Sequence, residues 1–347
     1  MKRKTVNQRS TSGPGKIKRR SVSVVDVARA AGVALGTVSR VINRAPDVKP
    51  ELRRKVLRAS RELGFVPKIQ HRAVGVMAGD LDSLSAAGFN AAMIALLAKH
   101  LANHEHTMEL ISFDDLELAY ETHIAGIISF VPDERLGALT DIPDLPIISL
   151  NQPFSGLPIH SICSDHREQG RLATQHLMDH GHQRIGFIEN ARWNWGSRER
   201  LAGYESALAK NGIAYDEALV AYTREESLEG LLARLLTQRI TSVLSFSSDC
   251  GLDISRLLGG RFGLRIPQGV SIIAAEHLPM FEYLTPPHTV VSQPLEDMVR
   301  LAADEMMRLI APTTDSRRRP LLNLILPTSL IERESVAPPR VAAVYTP

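Results

Sequence analysis

From Ala73 onward, short apolar runs alternate with amphipathic stretches long enough for helices, and this rhythm limits the possible folds more than any other feature. Strands are predicted near 74–78, 108–113, 124–130, 146–150, 184–189, 242–247, 270–275 and 322–326. Helices are predicted near 86–103, 167–180, 198–211, 227–237, 250–259 and 294–310. Strands separated by helices lie parallel, and right-handed crossovers then wind helices over both faces of a sheet. An internal echo argues for two such lobes. His100-Leu-Ala-Asn-His104-Glu-His106 runs into one predicted strand, and His176-Leu-Met-Asp-His180-Gly-His182, 76 residues later, runs into another.

The first seventy residues have a different texture. Residues 1–20 carry eight basic residues, no acidic ones and a Gly-Pro-Gly, and are expected to be a disordered tail. Three short helices then follow: one from about Val24 to Ala30, one from Leu35 to Ile42, and one starting at Pro50. Ser23 and Asp26 stand at capping-box spacing, and Gly32 suits a tight turn. The third helix puts Leu52, Val56, Ala59 and Leu63 on one face and ends at Gly64. Charge follows the same division. Residues 1–72 hold 19 Lys/Arg against 4 Asp/Glu, and the rest hold 22 against 34. A basic front on an acidic body is the footprint of a polyanion binder, because each neutralised phosphate releases counterions.

In a helix-turn-helix the second helix lies in the major groove with its N-terminal residues at the base edges. Val24, Val27, Ala28 and Ala31 are predicted to pack inward with Val33, Val38, Val41 and Ile42. Leu35, Gly36, Thr37, Ser39, Arg40 and Asn43 are left outside, and Ser23 is grouped with them as a candidate DNA contact. Arg40 suits bidentate contact with a guanine and Leu35 a thymine methyl, whereas Thr37, Ser39 and Asn43 suit phosphate.

These residues give a specific resemblance. Asp26-Val27-Ala28, Ala31-Gly32-Val33, Thr37 to Val41 and Leu63 to Pro67 are similar to the headpiece of the lactose/galactose-repressor (LacI/GalR) family. ATQHLMDHGHQRIGFI, SRERLAGYESALAKNGI, IPQGVSIIA, LTPPHTVVSQP and LPTSLIERES resemble its core, so the likeness spans about residues 22–336. It implies an all-α helix-turn-helix headpiece on a periplasmic-binding-protein-like α/β core of two doubly wound lobes. The expected division is headpiece 21–67, linker 68–73, core 74–336 and tail 337–347. Lobe 1 would comprise 74–162 and 293–320, and lobe 2 would comprise 163–292 and 321–336. The implied protein is a cytoplasmic homodimer that binds a palindromic operator on double-stranded DNA, most simply as a repressor, under a small-molecule effector of sugar type. By the same resemblance Asp80, Arg198, Asp249 and Glu276 would line the effector cleft, with Trp195 or Trp193 as a stacking face.

Three departures from the family stand out. Only KIQHRA separates Pro67 from Val74, so the hinge helix and its DNA-wedging leucine are missing. Ala34 replaces the Ser/Thr cap of the second helix, forfeiting about 1 kcal/mol. The aromatic pair expected after Asp80 is also absent.

Other function classes find less support. No Walker loop, GxSxG elbow, HExxH or EF-hand pattern occurs, so no enzyme and no cofactor are expected. Cys163 and Cys250 are the two cysteines, without CxxC spacing, which suits a reducing compartment. No apolar run reaches the roughly 20 residues of a membrane span, and no secretory signal is expected. The His pairs at i, i+4 have no third ligand at a metal-site spacing, and helix-end histidines also complement the dipole, so no metal is expected. Two alternatives stay open: a ligand-blind regulator with a decayed pocket, and a sugar-binding receptor without a transcriptional role.

Overall fold

The computed structural model describes residues 22–43, 45, 48–65, 73–78, 88–120, 124–130, 133–142, 144–150, 152–247, 250–275, 279–311 and 320–339. The chain forms two compact units, Met1–Lys68 and Ile69–Pro347. The expected tail 1–20, residues 68–72 of the linker and residues 340–347 lie outside the described residues.

The first unit holds α1 (Val24–Ala31), α2 (Leu35–Ile42) and α3 (Pro50–Glu62). α1 begins with a reciprocal capping box. The Asp26 amide donates to Ser23 Oγ at 3.3 Å, and the Ser23 amide donates to the Asp26 carboxylate at 2.9 Å. Gly32 ends the helix in the left-handed conformation, φ 65°, which a residue with a Cβ adopts only at a cost. Val27, Ala28, Val38, Val41, Val48, Val56, Leu57, Ala59 and Phe65 form the small buried core. Leu63 departs from its expected place on the α3 core face. The helix stops at Glu62, Leu63 becomes its cap and is 38% exposed, and Gly64 at φ 66° turns the chain so that Phe65 packs instead.

The second unit contains two six-stranded sheets. The first comprises β1 (Ala73–Met77), β2 (Thr107–Ile111), β3 (Ile124–Ser129), β4 (Ile147–Ser149), β5 (His160–Ser164) and β11 (Asn323–Leu326), in the order β2-β1-β3-β4-β5-β11. The second comprises β6 (Ile185–Glu189), β7 (Val220–Tyr222), β8 (Ser242–Ser245), β9 (Ser271–Ala275), β10 (Thr289–Ser292) and β12 (Ser329–Ile331), in the order β7-β6-β8-β9-β10-β12. All neighbours run parallel except β12, which is antiparallel to β10. The helices are α4 (Phe89–Asn103), α5 (His166–Asp179), α6 (Trp195–Lys210), α7 (Leu228–Thr237), α8 (Cys250–Gly260) and α9 (Leu295–Ile310). In the second lobe α5 and α6 cover one face, through Ala173, Leu177, Tyr204 and Leu208. α7 and α8 cover the other, through Leu231, Leu235, Ile254 and Leu258. This is the doubly wound arrangement expected from the alternation of strands and helices.

The lobe boundaries differ from expectation at one crossing. The resemblance places residues 321–336 in lobe 2, but β11 pairs in parallel with β5 in the first sheet, Asn323 opposite Ser161. The Ser161 hydroxyl also donates to the Asn323 carboxamide oxygen at 2.7 Å. The chain therefore passes between lobes three times: from β5 to α5, from β10 to α9, and from β11 to β12. An apolar run shows that a strand exists; it does not say which sheet edge the strand joins. The 76-residue echo also joins elements that are not equivalent. β2 is the edge strand of its sheet, whereas β6 lies one strand in, so β1 corresponds to β6 and β2 to β7. The lobes are alike, but not for that reason.

Candidate functional site

Two surfaces are candidates for the chemistry. On the first unit, Val38 and Val41 anchor α2 to the core and turn its opposite face outward. Leu35 is 50% exposed, Gly36, Ser39, Arg40 and Asn43 are exposed, and Thr37 is half-buried. No Cβ-sized obstacle lies within 4 Å of Gly36, so a partner can approach the backbone closely there. Ala34 caps α2 without a side-chain hydrogen bond, as its residue type dictates. The Arg53 guanidinium donates to the Ala45 carbonyl at 2.7 Å and so fixes the chain that leaves α2. Ser23 is a different case. Its hydroxyl proton goes to the Asp26 carboxylate at 2.6 Å, which makes it the cap of α1 and leaves no donor for a phosphate.

The second surface is built where strands end. In an open parallel sheet, ligands bind beyond the carboxyl ends of the strands, near the point where strand order reverses. Those points here are β1/β3 and β6/β8. Asp80, Asp249 and Glu276 follow β1, β8 and β9 in sequence and lie outside the described residues. Trp195 and Arg198 open α6, just after β6, with Asn194 capping the helix through the Gly196 amide at 2.9 Å. Trp195 is half-buried and meets the His166 ring edge-on at 5.3 Å. Trp193 is the open indole, 65% exposed, and the exposed Arg198 donates to its carbonyl at 2.5 Å.

Beneath them lies a buried polar network that the sequence did not reveal. Glu189, at the end of β6, accepts from Arg200 Nε, from the Ser197 hydroxyl at 2.8 Å and from the Asn190 amide at 2.9 Å. Arg200 also donates to His166 Nδ1 at 2.9 Å and to the Gln169 carboxamide oxygen at 3.3 Å, with its guanidinium over the Phe246 ring. Burial, then the adjacent Arg200 charge, holds the His166 imidazole well below its ordinary pKa, so it accepts at Nδ1 as a neutral ring. Gln169 reaches the Val291 carbonyl at 3.2 Å, and the Ser164 hydroxyl donates to Gln293 where two lobe crossings meet. With all its charges paired, the network can fix the start of α6. Arg200 is therefore the arginine of SRERLAGY that lies inside, while Arg198 faces solvent. Position in a motif does not tell these two apart; burial does.

The headpiece and the core both match known families. Residues 23–68 match the family described as bacterial regulatory proteins, lacI family, and residues 174–336 match the periplasmic binding protein-like domain. The transcriptional regulator CelR of Thermobifida fusca is 31% identical over 343 residues, covering 92% of this chain and 99% of CelR. GalR of Escherichia coli is 28% identical, covering 93% of this chain and 98% of its own. Among solved structures, a CelR–cellobiose complex aligns with TM-score 0.67 at 31% identity over 90% of this chain and 99% of that one. The lac repressor dimer bound to operator and an anti-inducer shares the fold, with TM-score 0.62 at 23% identity over 92% of this chain and 100% of that one. No helix among the described residues is long and apolar enough to cross a membrane. The chain is a DNA-binding transcriptional regulator and belongs to the lacI family of bacterial regulatory proteins.

Proposed function

We propose that this regulator is a cytoplasmic homodimer without catalytic activity, which represses from a palindromic operator and is switched by a sugar. Two-fold pairing of chains presents two α2 helices to two half-sites one helical turn, or a multiple of it, apart. In this reading Arg40 takes a guanine edge, Leu35 a thymine methyl, and Thr37, Ser39 and Asn43 the phosphates.

The observation that carries the sugar reading is the exposed Trp193 indole at the carboxyl edge of the second sheet, with the exposed Arg198 guanidinium held on the Trp193 backbone carbonyl. An aromatic face stacks on a sugar ring while a fixed donor takes its hydroxyls. Trp195 and the Glu189–Arg200 pair support that edge from below. Asp80, Asp249 and Glu276 would add acceptors from the segments after their strands. CelR, whose solved complex contains cellobiose, makes a β-linked disaccharide the first effector to try.

A sugar can alter DNA affinity only by binding two states of the protein unequally. The test is selection of bound genomic fragments, repeated with cellobiose and a panel of mono- and disaccharides. The expected result is enrichment of a palindrome whose affinity one sugar changes, with Arg198→Ala abolishing the response and leaving sugar-free affinity intact. Enrichment of a palindrome that no sugar affects would favour the ligand-blind reading.

A further inference from the structure

At the far end of α5 from the Arg200 network, two histidines meet a carboxylate from the other end of the chain. His176 lies in the last turn of α5 and His180 caps it, and this i, i+4 spacing brings their rings to 4.5 Å. His180 Nδ1 donates to the His176 carbonyl at 2.8 Å, which fixes its tautomer and leaves Nε2 as a lone-pair donor. Glu332 follows β12 directly, and its carboxylate is exposed. One donor atom from each of the three residues lies within 4.8 Å of the other two.

A second observation singles out this cluster. His176 Nε2 is buried without a hydrogen-bond partner, a position that costs free energy unless something else satisfies the nitrogen. The matching histidines of α4 are not in that state. His100 Nε2 lies 2.9 Å from Glu296, and His104 Nε2 lies 3.2 Å from Asp304, so each already has a carboxylate on α9. The helix dipole favours a cation at both helix ends, but of the two only the α5 end combines a close, tilted histidine pair, an unsatisfied nitrogen and an exposed carboxylate.

We propose that His176, His180 and Glu332 form a site for a divalent transition metal of borderline softness, Zn2+ foremost. Two imidazoles and a carboxylate supply three of the four ligands of a tetrahedral zinc, and water supplies the fourth. Zn–N bonds of about 2.0 Å require donors about 3.3 Å apart, so modest side-chain rotation closes the cluster. Spacing along the chain hides the site, because the third ligand, just past β12, lies 152 residues beyond His180. The ion would tie the end of α5 to β12, just after the chain's last passage between lobes. Its role is therefore structural, holding that passage to the second lobe.

The experiment titrates the full-length, tag-free chain with Zn2+ by calorimetry and with Co2+ by visible absorption. His180→Asn, Glu332→Gln and His100→Gln are run in parallel, and all melting temperatures are also taken in EDTA. The expected result is one Zn2+ per chain, tetrahedral Co2+ bands, and a melting temperature that rises with Zn2+. His180→Asn should abolish these signals, and Glu332→Gln should weaken binding by at least about tenfold, the lower end of what even outer-shell partners contribute. His100→Gln should change nothing. Wild-type-like melting of the variants in EDTA would assign their losses to ligation rather than unfolding. No stoichiometric binding by the wild type, or undiminished binding by both His180→Asn and Glu332→Gln, would overturn the site.

Discussion

Arg200 points its guanidinium into the second lobe against the fully buried Glu189 carboxylate, while Arg198, two residues earlier, faces solvent. Removing one partner of such a pair leaves an uncompensated charge in a medium that solvates it poorly. Glu189→Ala is therefore expected to cost about 3–5 kcal/mol in denaturant unfolding. Replacing both residues with apolar ones should cost much less, and Arg198→Ala should fall within about 0.5 kcal/mol of wild type. Equal effects of Glu189→Ala and Arg198→Ala would contradict the assignment of Arg200 as the internal arginine.

The network depends on how closely α5 and α6 approach. A Cβ at Gly170 would collide with the Arg200 carbonyl oxygen, and one at Gly203 with the Arg167 carbonyl oxygen. Backbone cannot give way as a side-chain tip can. Gly170→Ala and Gly203→Ala should each destabilise by about 1–3 kcal/mol or more through forced separation of the helices. Gly259→Ala, in α8 with open space around it, should be neutral or stabilising by up to about 1 kcal/mol. Thermal melts of the three variants check the contrast.

Acid should loosen the second lobe through its buried histidines. Burial, with a smaller contribution from His180, pulls His182 from its ordinary 6.5 to about 4, against the opposing hydrogen bond to the Ala337 carbonyl. His182 Nδ1 also meets the Thr241 hydroxyl at 2.8 Å. Between those two values the unfolded chain binds the extra proton, so this stabilisation is complete above about pH 6.5 and is lost as pH falls towards about 4. His166 shifts in the same direction. Melting temperature should fall from pH 7 to pH 5, and His182→Gln should flatten the slope. A slope unchanged by that substitution would remove His182 from the explanation.

The basic N-terminal segment and the short linker give a fourth expectation. Residues 1–20 carry eight Lys/Arg, and only KIQHR joins Pro67 to the first core strand. Without a hinge leucine to wedge base steps apart, the bound operator should be nearly straight in circular-permutation gel shifts. Deleting residues 1–20 should lower the salt slope of binding by several units with little change in base preference. A strong central kink, or an unchanged slope, would contradict the respective half of this expectation.

The helices were legible because each carries its own local signals: Ser23 with Asp26 at one start, Pro50 at another, and leucines at helical spacing in α7. The strands were less so. β5 reads His-Ser-Ile-Cys-Ser and gives no apolar run, yet it is buried throughout, with Ser161 on Asn323, the Leu322 amide on His160 Nδ1, and Ser164 on Gln293. β7, β10 and β12 span only three or four residues each and are not among the predicted strands. On α2 the exposed face followed from periodicity alone. At the second site, Trp195 and Arg198 came from the motif, whereas Glu189, Arg200, His166 and Gln293 meet only after the sheet has folded. Contacts made across lobe crossings leave no trace in local sequence.

If α2 reads the operator as proposed, Arg40 sets base preference at one position. Binding of the wild type and Arg40→Ala to a randomised half-site library would show this at fixed salt. The expected result is a loss of roughly 1–3 kcal/mol at the preferred site, with preference relaxed at a single guanine per half-site and retained elsewhere. Uniform weakening across all sequences, with base preference intact, would make Arg40 a phosphate contact and contradict this account of how the protein recognises DNA.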